Sequence, residues 1–176
     1  MPLFTTTSFN SLNDLFLNQI EDLYDAEQRL TKALPKMAEA AHSSQLKLAF
    51  QSHLTETEGH VRRLEQIFRE INTSPARETC EAMKGLIAEG EEMIKAQGDP
   101  DVKDAALIAA AQRVEHYEMS GYGTARAFAR RLGLSQAANL LQQTLEEEKA
   151  ADEKLNNIAE GSVNLKATTV AGSSTR

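Results

Sequence analysis

The sequence has few of the residues that build β-sheets, disulfides or cysteine-based metal sites. It contains no tryptophan, four prolines, one cysteine and only 5% aromatic residues. Because β-branched and aromatic residues favour strands, their scarcity beside abundant Ala, Leu, Glu, Gln and Lys predicts an all-α protein. Cys80 has no second cysteine with which to form an intrachain disulfide or a thiolate metal site.

Long apolar runs and clustered positive charge are also missing. No stretch approaches the roughly 20 apolar residues that a membrane-spanning helix needs, and the N-terminus lacks a basic segment followed by an apolar core. The formal net charge is −7, with Lys and Arg interspersed among acidic residues. We therefore expect neither nucleic acid nor membrane as a partner, and a cytoplasmic location.

Apolar residues recur every three or four positions through most of the chain, which predicts helices. With their capping and breaking residues, the expected helices span about 8–42, 45–72, 75–97, 101–132 and 135–160. Pro35 predicts a kink near the end of the first helix. We expect one domain over residues 1–160 and, since the composition turns small and polar after Gly161, a flexible tail over 161–176.

An internal repeat relates the two halves of the chain. A shift of 91 positions places Glu27 on Glu118 and superposes further matched pairs: Met37 on Phe128, Ser44 on Ser135, Leu64 on Leu155 and Ile67 on Ile158. The repeat predicts two helical hairpins joined by the long segment 73–100, which carries a helix of its own. Short loops within pairs and a long crossover between them predict a ferritin-like four-helix bundle.

Two glutamates stand where the helical pattern calls for apolar core residues. Glu27 lies within the row Phe16, Ile20, Leu23, Leu30, Leu34, and Glu118 lies within the row Ala111, Val114, Gly121, Ala125, Phe128. A buried carboxylate without a partner loses several kcal/mol in desolvation or takes up a proton. A bound cation is the first explanation, and a buried Arg or Tyr partner is the alternative.

Further polar residues join Glu27 and Glu118 when residues at the same height along paired helices are matched. In antiparallel hairpins residue 27 lies beside residue 60, and residue 118 lies beside residue 150. The predicted metal ligands at this level are Glu27, Glu56, His60, Glu118, Glu148 and Asp152. Two-metal bundles use a carboxylate from each of two helices and a carboxylate and histidine three residues apart from each of the others. This chain departs from that plan, since its pairs are four apart and Asp152 replaces a second histidine.

Several neighbouring residues compete for the site or have a structural explanation. His53 and Glu115 are second-tier ligand candidates, with His53 about 10 Å along the helix axis from His60 at about 1.5 Å per residue. Tyr24, Tyr117 and Tyr122 flank the layer and are candidates to hydrogen-bond its ligands. Glu56 also fits a solvated face with ion pairs, and Glu147 falls outside the inner row.

The ligand types indicate which metal and which chemistry to expect. Carboxylate-rich sites with one or two imidazoles suit iron or manganese better than copper or structural zinc. We therefore expect two iron ions, with manganese possible, bridged by Glu56 and Glu148 with Glu27 and Glu118 terminal. Oxidation of ferrous iron by oxygen, or peroxide consumption, would follow from open coordination positions. The alternative is a non-catalytic structural or assembly protein with a vestigial or structural metal site.

Five segments carry a resemblance to a known family: DLYDAEQ (22–28), HLTET (53–57), DAALIAAAQRVEHYE (104–118), YGT (122–124) and TLEEEKAADEKL (144–155). Over residues 8–160 the chain resembles the YciE/YciF stress-protein family of ferritin-like domains. The resemblance implies a ferritin-like fold, a di-iron or related centre, homodimers and a bacterial stress setting without a settled activity. It supports the predicted carboxylates and adds His53 and Glu115, which leaves His53 and His60 as rivals for a single imidazole ligand. Met83, Leu86 and Ile87 of the crossover helix are candidates for the dimer surface.

Overall fold

A computed structural model of the chain describes residues 8–75 and 78–170, and these residues form helices without any strand. The elements are α1 (Leu12–Ala40), α2 (Ser44–Glu70), α3 (Glu81–Lys95), α4 (Pro100–Arg131) and α5 (Ser135–Ile158), then a π-helical turn (Ala159–Val163) and α6 (Asn164–Val170). The all-α prediction is confirmed.

Side chains of the linking residues set where the long helices begin. Ser11 and Ser43 accept hydrogen bonds from backbone amides of the first turns of α1 and α2, and Asp99 does so for α4. Helix α5 begins at Ser135, and the preceding Leu134 makes no side-chain cap bond. Helix α3 begins later than expected, at Glu81.

Helices α1 and α2 form one antiparallel hairpin and α4 and α5 form the other. The hairpins pack through α1 against α4 and α2 against α5, and the crossover helix α3 lies against α1 and α4. Asp104 of α4 ties the first hairpin turn in place, since its carboxylate accepts hydrogen bonds from the amides of His42 (2.8 Å) and Ser43 (2.6 Å). The predicted bundle of two hairpins with a crossover helix is therefore present.

The core of the bundle consists of two apolar layers with a polar layer between them. One apolar layer is built around Phe16, Ile20, Leu64, Tyr122 and Leu141, and the other around Leu30, Leu34, Phe50, Leu107 and Leu155. Close packing of α1 on α4 beside the polar layer requires Gly121, because a Cβ there would lie 2.8 Å from Leu23 Cδ2. The helices thus hold the polar side chains at a fixed level in the middle of the bundle.

Two predictions for the periphery need correction. Residues 161–170 are helical instead of forming a flexible tail, and Val163 is buried because it continues the apolar contacts of Ile158 and Ala159. The rest of the expected tail, 171–176, lies outside the described residues. Met83 is not available as a dimer contact, since its side chain on α3 is fully buried in the core, and Leu86 and Ile87 pack against the same core. None of the described helices is both long and apolar enough to span a membrane.

Candidate metal centre

Six buried side chains from four helices converge in the polar layer. Helix α1 contributes Glu27, α2 contributes His53 and His60, α4 contributes Glu115 and Glu118, and α5 contributes Glu148. They form two donor groups whose potential ligand atoms lie within 4.8 Å of one another. Group one is His53, Glu115, Glu118 and Glu148, and group two is Glu27, His60 and Glu148. Because Glu148 belongs to both, the groups are adjacent.

Group two is centred on the imidazole of His60. Its Nδ1 lies 3.2 Å from Glu27 Oε1 and 3.0 Å from Glu148 Oε1, and its Nε2 lies 2.9 Å from Glu147 Oε2. The hydroxyl of Tyr122 donates a hydrogen bond to Glu27 Oε1. The Nδ1 atom of His60 therefore faces the buried carboxylates of Glu27 and Glu148, while Glu147 contacts Nε2 from the outer side.

Group one is arranged in the same way around His53. Its Nε2 lies 3.4 Å from Glu115 Oε1 and 3.7 Å from Glu148 Oε2, and its Nδ1 lies 3.2 Å from Glu56 Oε2. Burial lowers the pKa of His53, but the charge of Glu115 and the hydrogen bond to Glu56 outweigh this effect and raise the pKa to about 9. Each histidine thus presents one nitrogen to the layer and is oriented by a peripheral glutamate.

The layer contains many polar atoms that are close together without being hydrogen-bonded. The buried atoms without a hydrogen-bond partner in the described part of the protein include Glu27 Oε2, His53 Nε2, His60 Nδ1, Glu115 Oε2 and both carboxylate oxygens of Glu118 and Glu148. Buried polar groups are normally hydrogen-bonded, so such a cluster needs an explanation. Two ligand atoms that each lie about 2.1 Å from one ion are about 3.0 Å apart when the angle at the ion is a right angle, and about 4.2 Å apart when they lie on opposite sides. The observed separations fall in this range. The residues therefore fit divalent cations.

Without a bound cation, the buried carboxylates of the layer lie in an electrostatically unfavourable environment. Burial raises the pKa of Glu118 well above its usual value, and the neighbouring Glu27 and Glu148 raise it further. Burial lowers the pKa of His60, but Glu148 and Glu27 outweigh it and raise the pKa to about 11. Without a cation, the layer is thus expected to keep protons on Glu118 and His60. A cation would take the place of these protons, so binding should release them.

Glu147, which sequence reasoning placed outside the site, supports it from the edge. Arg63 donates two hydrogen bonds to its carboxylate, at 2.6 and 2.7 Å, and the same carboxylate contacts His60. The Arg63 bonds lower the pKa of Glu147 although partial burial opposes the shift. Such outer contacts fix the orientation of a ligating imidazole. The sequence does contain an indication of this role, because the 91-residue repeat aligns Glu147 with Glu56, and Glu56 contacts His53.

Two predicted ligands lie outside both donor groups. Asp152 Oδ1 accepts a hydrogen bond from Gln112 (3.1 Å), and its Oδ2 lies 3.5 Å from His116 Nε2. The side chain of Glu56 is 37% exposed and contacts His53 at the margin. At about 3.6 residues per turn the inner row of α5 runs through Ala151 instead of Asp152, and that of α2 runs through Thr57 instead of Glu56. Glu56, the expected bridging residue, therefore lies at the margin of the layer and outside both donor groups.

The structure brings both His53 and His60, the rivals for a single imidazole ligand, to the layer in different donor groups. Their ring centroids are 6.2 Å apart, well below the rise between their backbone positions. Of the three tyrosines, Tyr122 alone among the described contacts reaches a donor residue. Tyr24 bonds Glu65, while Tyr117 contacts Asp22 and Cys80.

The two halves of the repeat contribute unequally to the layer. The inner row of α2 is Phe50, His53, Thr57, His60, Leu64, and the shift of 91 places it on Leu141, Thr144, Glu148, Ala151, Leu155 of α5. Thr57 therefore occupies the position equivalent to Glu148, and Ala151 the position equivalent to His60. A symmetric two-metal plan would have a carboxylate and an imidazole there. His53 and Glu115 bring additional donor atoms to the layer instead.

A cavity of about 190 Å³ between α2 and α5 leads towards group one. It is lined by the charged side chains of Glu56, Glu147 and Lys154, and His53 and Glu115 form its inner wall. A smaller apolar cavity of about 40 Å³ beneath α3 reaches the same two residues from the other side. Both cavities therefore approach the layer at group one.

Comparison with known proteins places this layer in a family context. The chain matches the family described as "Domain of unknown function (DUF892)" over residues 11–168. It is 47% identical to protein YciF of Escherichia coli (strain K12) over 161 residues, which is 91% of this chain and 97% of that protein. The crystal structure of the E. coli stress protein YciF has a TM-score of 0.86 at 46% identity, covering 89% of this chain and 99% of that one.

Two further solved structures extend the comparison. YcfI from Rhodopseudomonas palustris has a TM-score of 0.84 at 43% identity and covers 89% of this chain and 99% of its own. A dodecameric thioferritin, the bacterioferritin-related protein from Bacteroides fragilis, has a TM-score of 0.66 at 11% identity over 94% of this chain and 93% of that one, which shows a shared ferritin-like fold alone. On the extent of the family match and the 47% identity, the chain belongs to the DUF892 family, and its resemblance to YciF is confirmed.

Proposed function

We propose that this protein is a ferritin-like carboxylate protein that binds two iron ions, with manganese as the alternative metal. The observation that carries the proposal is the convergence of six buried donor residues, each with at least one polar atom that lacks a hydrogen-bond partner among the described residues. Four carboxylates and two imidazoles form a donor set typical of iron and manganese. Glu27, Glu115, Glu118 and Glu148 would also balance the charge of two divalent cations.

Each residue has a role that follows from its position. Glu148 belongs to both donor groups and is the candidate bridging ligand. Glu27 and Glu118, which the repeat places at equivalent positions, would be terminal ligands. The two histidines would each supply the nitrogen that faces the layer, with the outer nitrogens held by Glu56 and Glu147.

We further propose that the site oxidises ferrous iron or consumes peroxide in the bacterial cytoplasm under stress, and that the protein is a homodimer. A bound pair of iron ions would supply the electrons for reducing oxygen or peroxide. The buried layer would exclude bulk water, while the cavity between α2 and α5 would admit small reactants to group one. The description of E. coli YciF as a stress protein supports the stress setting by similarity.

One observation favours a second candidate, in which bound metal only stabilises the bundle. The inner row of α5 carries a single candidate ligand, Glu148, because Ala151 stands where a symmetric site would have an imidazole. On α2, Thr57 likewise stands where a symmetric site would have a carboxylate. A protein of this kind would bind metal without turnover. It would melt at a lower temperature after chelation but leave ferrous iron and peroxide unchanged.

Anaerobic loading with ferrous iron followed by exposure to oxygen or peroxide distinguishes these candidates. We expect two iron ions per chain, and oxidation faster than in buffer, lost in Glu118→Ala but retained in the control Glu146→Gln on the surface. Bound iron that oxidises no faster than in buffer would support the structural role. No bound iron or manganese in the unmodified protein would contradict both, and sedimentation as a monomer would contradict the dimer.

A further inference from the structure

Thr57 has an unusual environment at the centre of the polar layer. It lies on the inner row of α2 between His53 and His60, and it is fully buried. Its Oγ1 has no hydrogen-bond partner within residues 8–75 and 78–170. Helical threonines commonly bond a carbonyl oxygen of the preceding turn, as Thr31 does with Gln28 at 2.9 Å. The Thr57 hydroxyl therefore remains available to a partner from outside the protein chain.

The repeat shows where this hydroxyl stands relative to the donor groups. Thr57 and Glu148 occupy equivalent positions in the two hairpins, on helices α2 and α5 that pack against each other. Glu148 is shared by both groups, so it lies between them. The neighbours of Thr57 on the inner row, His53 and His60, belong to one group each. Thr57, on α2, is therefore placed between the two donor groups, across from Glu148 on α5.

Side-chain size and charge indicate what kind of ligand could bind beside Thr57. A symmetric site would place a second bridging carboxylate here, whereas threonine is shorter and uncharged. Four carboxylates, those of Glu27, Glu115, Glu118 and Glu148, already balance two divalent cations. A ligand at this position would therefore be neutral or a small anion with one charge, and a hydroxyl can both donate and accept a hydrogen bond.

We propose that the Thr57 hydroxyl binds a small non-protein ligand, a water molecule or a small singly charged anion, in the position where a second bridging carboxylate would stand. The ligand lies between the two donor groups, opposite Glu148. The inference rests on the proposed two-metal function and assigns Thr57 as a ligand-positioning residue. A buried hydroxyl without a protein partner is otherwise unfavourable, which is the reason to expect a ligand there.

The test uses the full chain loaded with cobalt(II) and azide as the small anionic probe. Metal content is measured first, and azide is then titrated while the visible spectrum of the bound cobalt is recorded. We expect Thr57→Val to weaken azide binding tenfold or more without changing the cobalt content, and Thr57→Ser to restore it. Thr55→Val, an exposed neighbour on the same helix, should bind azide as the unmodified protein does.

The melting temperature of the metal-free protein provides a second readout. If Thr57 serves the ligand and not the fold, Thr57→Val should not lower it, because no hydrogen bond within the chain is lost. Equal azide affinity in Thr57→Val and the unmodified protein, or no azide effect in the unmodified protein, would overturn the inference while leaving the metal site intact. Absence of cobalt from the unmodified protein would overturn the proposed function and this inference with it.

Discussion

Replacing Glu118 by leucine should stabilise the metal-free protein. Glu118 is fully buried, and neither carboxylate oxygen has a hydrogen-bond partner among the described residues. Removing an unsatisfied buried polar group gains about 1–3 kcal/mol, and burying a leucine side chain contributes about 1.5–3 kcal/mol. Allowing for imperfect packing, we expect the free energy of unfolding to rise by about 3 kcal/mol, or roughly 6–12 °C in melting temperature for a chain of this size.

The same substitution should weaken the response to metal. At a free metal concentration 100 times its dissociation constant, binding at one site stabilises the folded state by about 2.7 kcal/mol. Glu118→Leu removes a ligand of group one, so we expect this stabilisation to fall by at least half and the bound metal to fall from about two ions per chain to about one. Chemical denaturation with chelator and with manganese measures both quantities.

Asp104→Leu is the matched control for Glu118→Leu. Asp104 lies on the same helix and is equally buried, but its carboxylate accepts two backbone hydrogen bonds. Its replacement should lower the stability of the metal-free protein by about 2–4 kcal/mol and leave the metal response intact. A loss of stability in metal-free Glu118→Leu, together with an unchanged metal response, would refute the explanation of Glu118 as a cation ligand.

Three further outcomes are expected. Arg63→Met removes two hydrogen bonds to Glu147 and should weaken metal binding about 10- to 100-fold in chelator competition. Unchanged affinity would show that metal binding does not depend on the contact between Arg63 and Glu147. Because the pKa of His60 is raised from 6.5 to about 11, its contribution to the stability of the metal-free protein is fully present below pH 6.5 and is lost as pH rises towards 11. Melting temperatures in chelator that rise with pH over this range would contradict this. Glu56→Gln, in the wall of the cavity between α2 and α5, should slow cobalt uptake several-fold at unchanged stoichiometry, whereas the exposed Glu58→Gln should not.

The level of the site in the bundle could be predicted from the sequence. Glu27 and Glu118 interrupt otherwise apolar rows, and the hairpin turn near Ser43 brings residue 60 beside residue 27. These features depend on helix period and loop length, which local sequence determines well. The apolar layers above and below the site follow from the same periodicity, and the structure contains both.

The details that the sequence did not predict depend on small rotations and on side-chain reach. Asp152 and Ala151 differ by one position, about 100° around the helix, and only the packed bundle decides which faces the axis. His53 was ranked second by its distance along the helix, yet its ring approaches that of His60 because side chains span part of the rise. The helix over residues 161–170 was missed because the burial of Val163 is a tertiary contact that overrides a polar composition.

The most direct test of the two-metal centre is anomalous diffraction from crystals of the manganese-loaded protein, recorded at wavelengths on both sides of the manganese absorption edge. Two peaks about 3.5–4 Å apart are expected on either side of Glu148, one bounded by His53, Glu115 and Glu118 and the other by Glu27 and His60. A layer without anomalous peaks at saturating manganese, or peaks confined to Asp152 and His116, would contradict the account.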